Sequence, residues 1–327
     1  MTSRVPSVLA SGYTALDVVR TPESTWLRAG GTAVNVAANL AFLGWKAAVV
    51  ATIGDDDAGR RVASDLEKDG VDTSGLELRR GARTPVVVHE IQDGDHRFRF
   101  GCRDCGRPYA RHRPLVEDAA IRLAHQVGPA DVFFFDRAST GTLRLACAQA
   151  QAGAVVVYEP ASEGRARLHR RALQIAEIVK YSREQLPERR GLDASAGKVV
   201  IETDGAAGAR FRVGEGAWHR SPAYAVDARD AGGAGDWMTA IVLDALRGGS
   251  RLVRDVRSAV KLGQGYAALS CLFPGARTMS TQLDAKQVGS RVSAIMAGRE
   301  PDVSASRSPG AMFDRDNCPA CLLPVSA

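Results

Sequence analysis

Several features that define other classes of protein are missing from this chain of 327 residues. No apolar run approaches the ~20 residues that a membrane-spanning helix needs. The opening MTSRVPSVLASGYTALD lacks the long apolar stretch and cleavage site of a signal peptide. Six cysteines are too few for a disulfide scaffold, so they are core thiols, metal ligands or redox groups. We therefore expect a cytoplasmic protein that does not contact a membrane.

A dense basic surface is also missing, although basic residues are in slight excess. The 43 lysines and arginines exceed the 37 acidic residues by six, which is the formal net charge at pH 7. The arginines are interleaved with acids, as in RRGLDAS and VRDVRSAVK, and no aromatic-rich binding motif accompanies them. The sequence therefore predicts no nucleic-acid partner.

Short apolar strand segments alternate with helical segments along most of the chain. The strand segments include SVLASG, AAVVATIG, DVFFFD, AVVVYEP and KVVIETDG. This alternation predicts an α/β fold in which helices cover both faces of a parallel sheet. Residues 84–100 interrupt it with two alternating runs around Asp93-Gly94, which indicates an antiparallel hairpin and a candidate lid. After about Gly298 the chain is rich in Ser, Pro and Asp, which predicts an irregular tail.

The most informative segment is the glycine-rich turn DAGGAGD, residues 230–236, which leads directly into an apolar helix. Such a turn presents backbone N–H groups at the positive end of the helix dipole, where a polyanion such as a triphosphate binds well. The Asp236 carboxylate would repel phosphate there unless it removes a proton from an attacking hydroxyl. Phosphoryl transfer to an alcohol needs that base together with donors for the transferred group. Alternatively, Asp236 only stabilises the helix dipole.

Another segment suits a polyhydroxylated ligand. In GGTAVNVA, residues 30–37, the paired glycines let the backbone approach a ligand, and Asn35 offers both a donor and an acceptor to vicinal hydroxyls. The simpler interpretation is a glycine entry into a helix that carries a solvated Asn35. Two further polar segments end strands: GYTALD, residues 12–17, and TDGAAG, residues 203–208.

Together these segments resemble the ribokinase-like (PfkB) family of carbohydrate and nucleoside kinases, whose signatures are G-G-x-x-x-N-x-A and D-x-x-G-A-G-D. The resemblance spans about residues 7–298. It implies a three-layer α/β/α ribokinase-like fold with a small β-sheet lid built from about residues 15–29 and 83–101. We accordingly expect a kinase domain over residues 1–298 and an irregular tail with a C-x-x-C pair over residues 299–327.

The resemblance also implies a role for individual residues. The catalytic residues would be Asp236 as the base and Gly233, Ala234 and Gly235 as the anion hole. The substrate would be bound by Asp17, Gly30, Gly31 and Asn35. The cofactors, ATP and Mg²⁺, would be bound by Thr203, Gly205, Gly208, Ser182, Glu184 and Asp230.

The family's N-x-x-E motif is altered here. Ser182 takes the place of its asparagine and Gln185 that of its glutamate, while the acid stands at Glu184. A weaker or rearranged magnesium shell is therefore expected. The family's D-P-N motif appears as Glu159-Pro160-Ala161, a second variant of this kind.

We predict an ATP-dependent kinase that phosphorylates a primary hydroxyl of a small molecule, a sugar, a sugar acid or a related polyol. One alternative is a nucleoside kinase, because the same fold serves both substrate classes. Another is a non-catalytic relative that binds a nucleotide or a sugar. A homodimer formed through the lid is a further expectation.

Two C-x-x-C pairs are not explained by the family resemblance. Cys102 and Cys105 form the first pair, and Cys318 and Cys321 form the second. This spacing lets two thiolates bind one tetrahedral metal, but more than two hundred residues separate the pairs, against ~15–20 in a zinc ribbon. A shared structural zinc, separate free or redox-active pairs, and an iron–sulfur cluster all stay open.

A structural zinc shared by the two pairs predicts near-stoichiometric zinc in the purified protein by elemental analysis. Chelation would then increase the mobility of the tail, because the metal would hold it. Cys318→Ser should lower the zinc content, and Cys147→Ser, which leaves both pairs intact, is the matched control. Metal-free, fully active protein with reactive thiols would reject the shared site.

Overall fold

The alternating segments form strands and helices in the computed structural model. It describes residues 4–92, 95–102, 105–162, 164–186, 197–247 and 252–303, and the backbone of residues 317–318 and 323–324. The described strands are β1 (Ser7–Ser11), β2 (Ala15–Arg20), β3 (Thr25–Gly30), β4 (Lys46–Gly54), β5 (Val71–Asp72), β6 (Leu76–Arg79), β7 (Val86–Gln92), β8 (Asp95–Arg99), β9 (Val132–Phe135), β10 (Val155–Tyr158), β11 (Ile178–Ser182), β12 (Val199–Thr203), β13 (Ala209–Val213), β14 (His219–Ser221), β15 (Asn317–Cys318) and β16 (Leu323–Pro324). The described helices are α1 (Thr32–Phe42), α2 (Asp57–Lys68), α3 (Glu117–Val127), α4 (Thr140–Gln151), α5 (Ala166–Ile175), α6 (Ala234–Ala245), α7 (Val253–Ser270), α8 (Thr278–Gln282) and α9 (Ala285–Met296).

A ten-stranded sheet runs through the centre, in the order β14-β13-β12-β11-β10-β9-β1-β4-β5, with β6 also paired to β4. The pairings from β5 and β6 across to β12 are parallel, as the sequence predicts. The β12–β13 and β13–β14 pairings are antiparallel, so the sheet is mixed. Only residues 204–208 connect β12 to β13, and a parallel crossover needs a dozen residues or more.

Apolar layers lie on both faces of this sheet, which gives three layers. Strand β9 shows why: all four of its residues are buried, and Phe133 and Phe135 pack into one core while Phe134 packs into the other. Strands buried on both faces carry continuous apolar runs, as DVFFFD does. The fold class expected from the family resemblance is confirmed.

A second sheet of four strands has the order β3-β2-β7-β8. Its strands fall within the two segments expected to form the lid. The hairpin expected over residues 84–100 is present as the antiparallel pair β7–β8, while its turn, Asp93-Gly94, lies outside the described residues. Strands β2 and β7 pair in parallel, so this sheet joins two distant parts of the chain.

Arg277 ties this small sheet to the rest of the molecule. Its guanidinium pairs with Asp65 of α2 and with Asp69, the residue that follows α2. It also donates a hydrogen bond of 2.6 Å to the carbonyl of Ala29 in β3. The residue is only 3% exposed. Two carboxylates and a carbonyl compensate the desolvation of this buried cation.

Of the tail expected after Gly298, the structure describes residues 299–303 and the antiparallel pair β15–β16. Within the described part of the chain, no helix has the length and apolar character needed to cross a membrane.

Candidate active site

Polar residues collect where the parallel strands end. Tyr13 follows β1, Asp136 follows β9, Glu159 follows β10, and Ser182 and Thr203 end β11 and β12. The carboxyl ends of parallel strands lie at one edge of a sheet, and ligands of open α/β folds bind there. The first turns of α1 and α6 supply Asn35 and Asp236. We take this edge as the candidate active site.

The Asp236 carboxyl group lies at the start of α6 and is almost fully buried, with 9% of the residue exposed. It accepts a hydrogen bond of 2.7 Å from the Asn35 side chain. Burial, reinforced by the nearby Glu159 carboxylate, raises the pKa of Asp236 to about 8, while the Asn35 hydrogen bond and Lys180 act in the opposite direction. A carboxyl group whose pKa lies near neutrality can accept a proton from an alcohol.

Glu159 and Lys180 form a buried ion pair near Asp236. The second oxygen of Glu159 accepts a hydrogen bond of 2.6 Å from Thr239, one turn further along α6. A Cβ placed on Gly235 would lie 3.5 Å from the Lys180 ammonium nitrogen, so this charge sits close to the glycine turn. Sequence reasoning missed the network, although a lysine inside the apolar strand segment IVKYS is a detectable signal.

The Asp230 side chain stabilises the glycine turn through hydrogen bonds. Its two carboxylate oxygens accept hydrogen bonds from the backbone N–H of Gly232 at 2.8 Å and of Gly275 at 2.7 Å. Gly233 has φ +81°, and a Cβ there would overlap with Ala276. Asp230 therefore supports the shape of the turn, and its expected role toward the cofactor stays a prediction.

The four residues expected to bind the substrate lie together. A Cβ on Gly30 would overlap with the Asp17 carboxylate, and one on Gly31 would overlap with the backbone of Tyr13. Asn35 follows in the first turn of α1, where its N–H donates to the Gly31 carbonyl at 2.9 Å. Through its side chain, Asn35 connects this group to Asp236.

Asp17, the acid among these four residues, has a perturbed pKa, as Asp236 does. Burial raises the pKa of Asp17 to about 7, and the Arg277 guanidinium only partly opposes that increase. Near neutral pH the carboxyl group therefore exists in both protonation states. Both states can hydrogen-bond to a hydroxyl group of a ligand.

Sequence reasoning also missed a cluster beside this group. The buried Asp136 carboxylate accepts hydrogen bonds from the Tyr13 N–H at 2.8 Å and from Arg137 at 2.9 Å. The Arg137 guanidinium lies 5.2 Å from the centre of the Tyr13 ring, in a cation–π contact. No motif links these residues, because they come from the ends of β1 and β9.

Apart from Asp230, the residues expected to bind the nucleotide lie at the ends of β11 and β12 or just after them. Ser182 and Thr203 are direct neighbours in the register of these strands. A short 3₁₀ turn, Gly205–Ala207, follows Thr203, and a Cβ on Gly205 would meet no atom within 4 Å. The structure thus brings Ser182, Thr203 and the glycine turn together. Glu184 follows β11 and is exposed.

The side chains of the first cysteine pair are described, and those of the second are not. Cys102 is buried and Cys105 is exposed, and the Cys105 N–H donates to the Cys102 sulfur at 3.4 Å. The side chains of Cys318 and Cys321 lie outside the described residues. Among the residues that are described, no group of three or more His, Cys, Asp or Glu residues has an arrangement that holds a metal ion. A zinc shared by the pairs stays a prediction.

Comparison with known proteins agrees with this geometry. Residues 7–283 match the family described as pfkB family carbohydrate kinase. The chain is 28% identical over 278 residues to Fructokinase-1 of Oryza sativa subsp. japonica, covering 76% of this chain and 83% of that protein. The chain belongs to the pfkB family of carbohydrate kinases, and it is accordingly a phosphotransferase that acts on sugar hydroxyls. The expected family and enzyme class are thereby confirmed.

Solved structures show the same fold at low sequence identity. The crystal structure of Vibrio cholerae O395 fructokinase in its fructose-, ADP- and calcium-bound form has a TM-score of 0.71 and 20% identity, covering 88% of this chain and 98% of that one. Aminoimidazole riboside kinase from Salmonella enterica, complexed with aminoimidazole riboside and an ATP analogue, has a TM-score of 0.67 and 21% identity, with 88% and 99% covered.

The raised pKa of Asp236 predicts a specific pH dependence of stability. A carboxyl group whose pKa is higher in the folded state stabilises that state at low pH, and the contribution is lost as pH rises toward the folded pKa, here about 8. Asp236→Asn cannot ionise and escapes this loss. Its free energy of unfolding relative to wild type should therefore increase from pH 5 to pH 9, as measured by urea unfolding.

Glu300→Gln is the control for this measurement, because Glu300 is exposed and its carboxyl group meets water in both states. A difference between Asp236→Asn and wild type that does not change with pH would contradict the burial and charge environment described for Asp236.

Proposed function

We propose that this protein is an ATP-dependent kinase that transfers the γ-phosphoryl group to a primary hydroxyl of a sugar or sugar acid, with Asp236 as the general base. The observation that carries the proposal is the Asn35–Asp236 hydrogen bond. It joins a carboxyl group with a near-neutral pKa to the residues suited to a polyhydroxylated ligand. The base and the substrate side of the site are therefore in direct contact.

In the proposed reaction the substrate hydroxyl approaches Asp236, which accepts its proton as the oxygen attacks the γ-phosphorus of ATP. The bond from that phosphorus to the bridging oxygen breaks, and ADP leaves. The backbone N–H groups of Gly233, Ala234 and Gly235 lie at the positive end of α6 and stabilise charge on the transferred group. Lys180 adds a positive charge close to the same turn. Deprotonated Asp236 is the active form, so turnover should rise with pH until that form predominates.

The nucleotide would lie along the ends of β11 and β12, beside Thr203, Gly205 and Gly208. The open space above Gly205 leaves room for phosphates near the backbone of the turn. Asp230 would act there by holding the glycine turn. The Vibrio fructokinase was crystallised with ADP and a calcium ion bound, which supports a nucleotide and a divalent cation for this chain as well.

Magnesium would neutralise charge on the phosphates when bound. Both oxygens of Glu159 are engaged by Lys180 and Thr239, and the described residues form no cage of three metal-binding side chains. This fits a cation held mainly by phosphate oxygens and water, which is how Mg²⁺ usually binds in kinases. Glu184 and Ser182 are the residues of this chain proposed to complete its shell.

A sugar is the first choice of substrate because the rice relative, which is 28% identical, is a fructokinase. Asp17 and Asn35 also offer the paired donors and acceptors that vicinal hydroxyls need. A nucleoside is the second choice, since the fold is shared with the Salmonella riboside kinase. The structure places a candidate base, Asp236, beside Asn35 and Lys180. This arrangement favours a catalytic protein over a relative that only binds a nucleotide or a sugar.

A homodimer through the small sheet is part of this proposal. Strand β8 is the outer strand of that sheet, and Phe98 on it and Phe100 just beyond it are 51% and 64% exposed. Large apolar side chains along an outer strand are typical of a surface that pairs with another chain.

Asp236→Asn tests the role of the base. The variant should fold and bind ATP as the wild type does, while kcat falls by about 10²- to 10⁴-fold because general-base catalysis is lost. ATP affinity is measured by calorimetry and turnover by ADP release. Asp118→Asn, an exposed acid on α3, should leave both unchanged. Normal turnover in Asp236→Asn would remove Asp236 from this role.

A substrate panel tests the class of acceptor. ADP release is measured with ATP and Mg²⁺ in the presence of fructose, ribose, gluconate or adenosine, with a sample lacking acceptor as the control. We expect release to depend on a sugar or sugar acid, and mass spectrometry should show one added phosphoryl group. Release with adenosine alone would establish the nucleoside alternative. No release with any acceptor would contradict the kinase proposal.

A further inference from the structure

A histidine of the small sheet touches the glycine turn of the active site. His89 lies in β7, is only 5% exposed, and places its Nε2 atom 3.4 Å from a carboxylate oxygen of Asp230. A Cβ placed on Gly232 would lie 2.8 Å from the His89 ring, so the ring packs directly against the turn. This contact joins the small sheet to the residues that precede α6.

The Asp230 carboxylate links His89 to the backbone of the glycine turn. The same carboxylate oxygen that faces His89 accepts the N–H of Gly232, and the other accepts the N–H of Gly275. The orientation of this carboxylate therefore affects the turn that begins the proposed anion hole. A movement of His89 therefore changes the electrostatic environment of the Asp230 carboxylate. The hydrogen bonds of that carboxylate determine the geometry of the glycine turn.

His89 is also linked to the substrate side of the sheet. It pairs in register with Val19 of β2, and Asp17 is two residues before Val19, so Asp17 and His89 lie on the same face. The His89 ring is stacked on Phe98 of β8, with ring centres 4.6 Å apart and planes 25° from parallel. The ring is thus held by its own sheet, on the strand that pairs with the strand of Asp17.

We propose that His89 is a positioning residue that couples the position of the small sheet to the anion hole through Asp230. At 3.4 Å the His89 Nε2 and the Asp230 oxygen are slightly farther apart than in a normal N–H···O hydrogen bond of about 2.7–3.2 Å, and a movement of a few tenths of an ångström forms one. Sugar bound against Asp17 supplies that movement. This role rests on the proposed kinase function, because it concerns the same site.

The test compares two substitutions at His89 in the full-length protein. His89→Phe keeps the stacked ring but removes the donor, and His89→Gln keeps a side-chain N–H donor. Without the hydrogen bond to a charged group that forms when the sheet moves, kcat of His89→Phe should fall by about 10- to 100-fold. The KM for ATP should change by less than about threefold, because the nucleotide residues are untouched. His89→Gln should recover most of the lost turnover.

A double-mutant cycle with Asp230→Asn separates this role from a general effect on folding. If His89 acts through Asp230, adding His89→Phe to Asp230→Asn should lower kcat little further. Additive losses, or an unchanged kcat in His89→Phe, would overturn the proposal. Phe98→Leu is the matched control, since it removes the stacking partner but keeps the donor, and it should retain more activity than His89→Phe.

Thermal unfolding establishes that each variant is folded. Should His89→Phe fail to fold, His89→Asn takes its place in the cycle, because its shorter side chain withdraws the donor from Asp230. The wild-type rate is measured first on the acceptor panel. An inactive wild type would contradict the kinase proposal itself, whereas an active wild type with unaffected His89 variants would contradict only the role of His89.

Discussion

The chemistry proposed for this protein depends on the environment of one buried carboxyl group. Asp236 is withdrawn from water and lies near the Glu159 carboxylate, and both effects favour its protonated form. Asn35 and Lys180 favour the ionised form, and the balance leaves the pKa of Asp236 near neutrality. These groups come from α1, the end of β10 and β11. A base of this kind therefore exists only when the whole sheet edge is assembled.

Carboxylates near Asp236, and others that join the end of α2 to the small sheet, are paired with cations. Glu159 pairs with Lys180, Asp136 with Arg137, and Asp65 and Asp69 with Arg277. These buried ion pairs hold neighbouring elements in place. Burial raises the pKa of Asp17 to about 7 and that of Asp236 to about 8. Two carboxyl groups in this state suit a ligand that offers hydroxyl groups, one to be bound and one to be deprotonated.

The loop between α7 and α8 connects the small sheet to the glycine turn. Arg277 binds the Ala29 carbonyl of β3, and the loop before it supplies the Gly275 N–H that Asp230 accepts. Gly275 also lies beside Trp26 of β3, whose indole would be 3.6 Å from a Cβ at that glycine. The small sheet is thus packed against the loop that supports the glycine turn.

Local sequence patterns were sufficient to predict much of the fold and part of the candidate site. The glycine turn ending at Asp236, the Gly30-Gly31 pair with Asn35, and the alternation of strands and helices were all readable, because turn chemistry and apolar periodicity act over a few residues. The pairings of Glu159 with Lys180, Asp136 with Tyr13, and His89 with Asp230 join residues 21, 123 and 141 positions apart, and no local pattern reports them. Only the tertiary structure decided which charges meet. Their pKa values follow from burial and from neighbours that the parallel sheet brings to one edge.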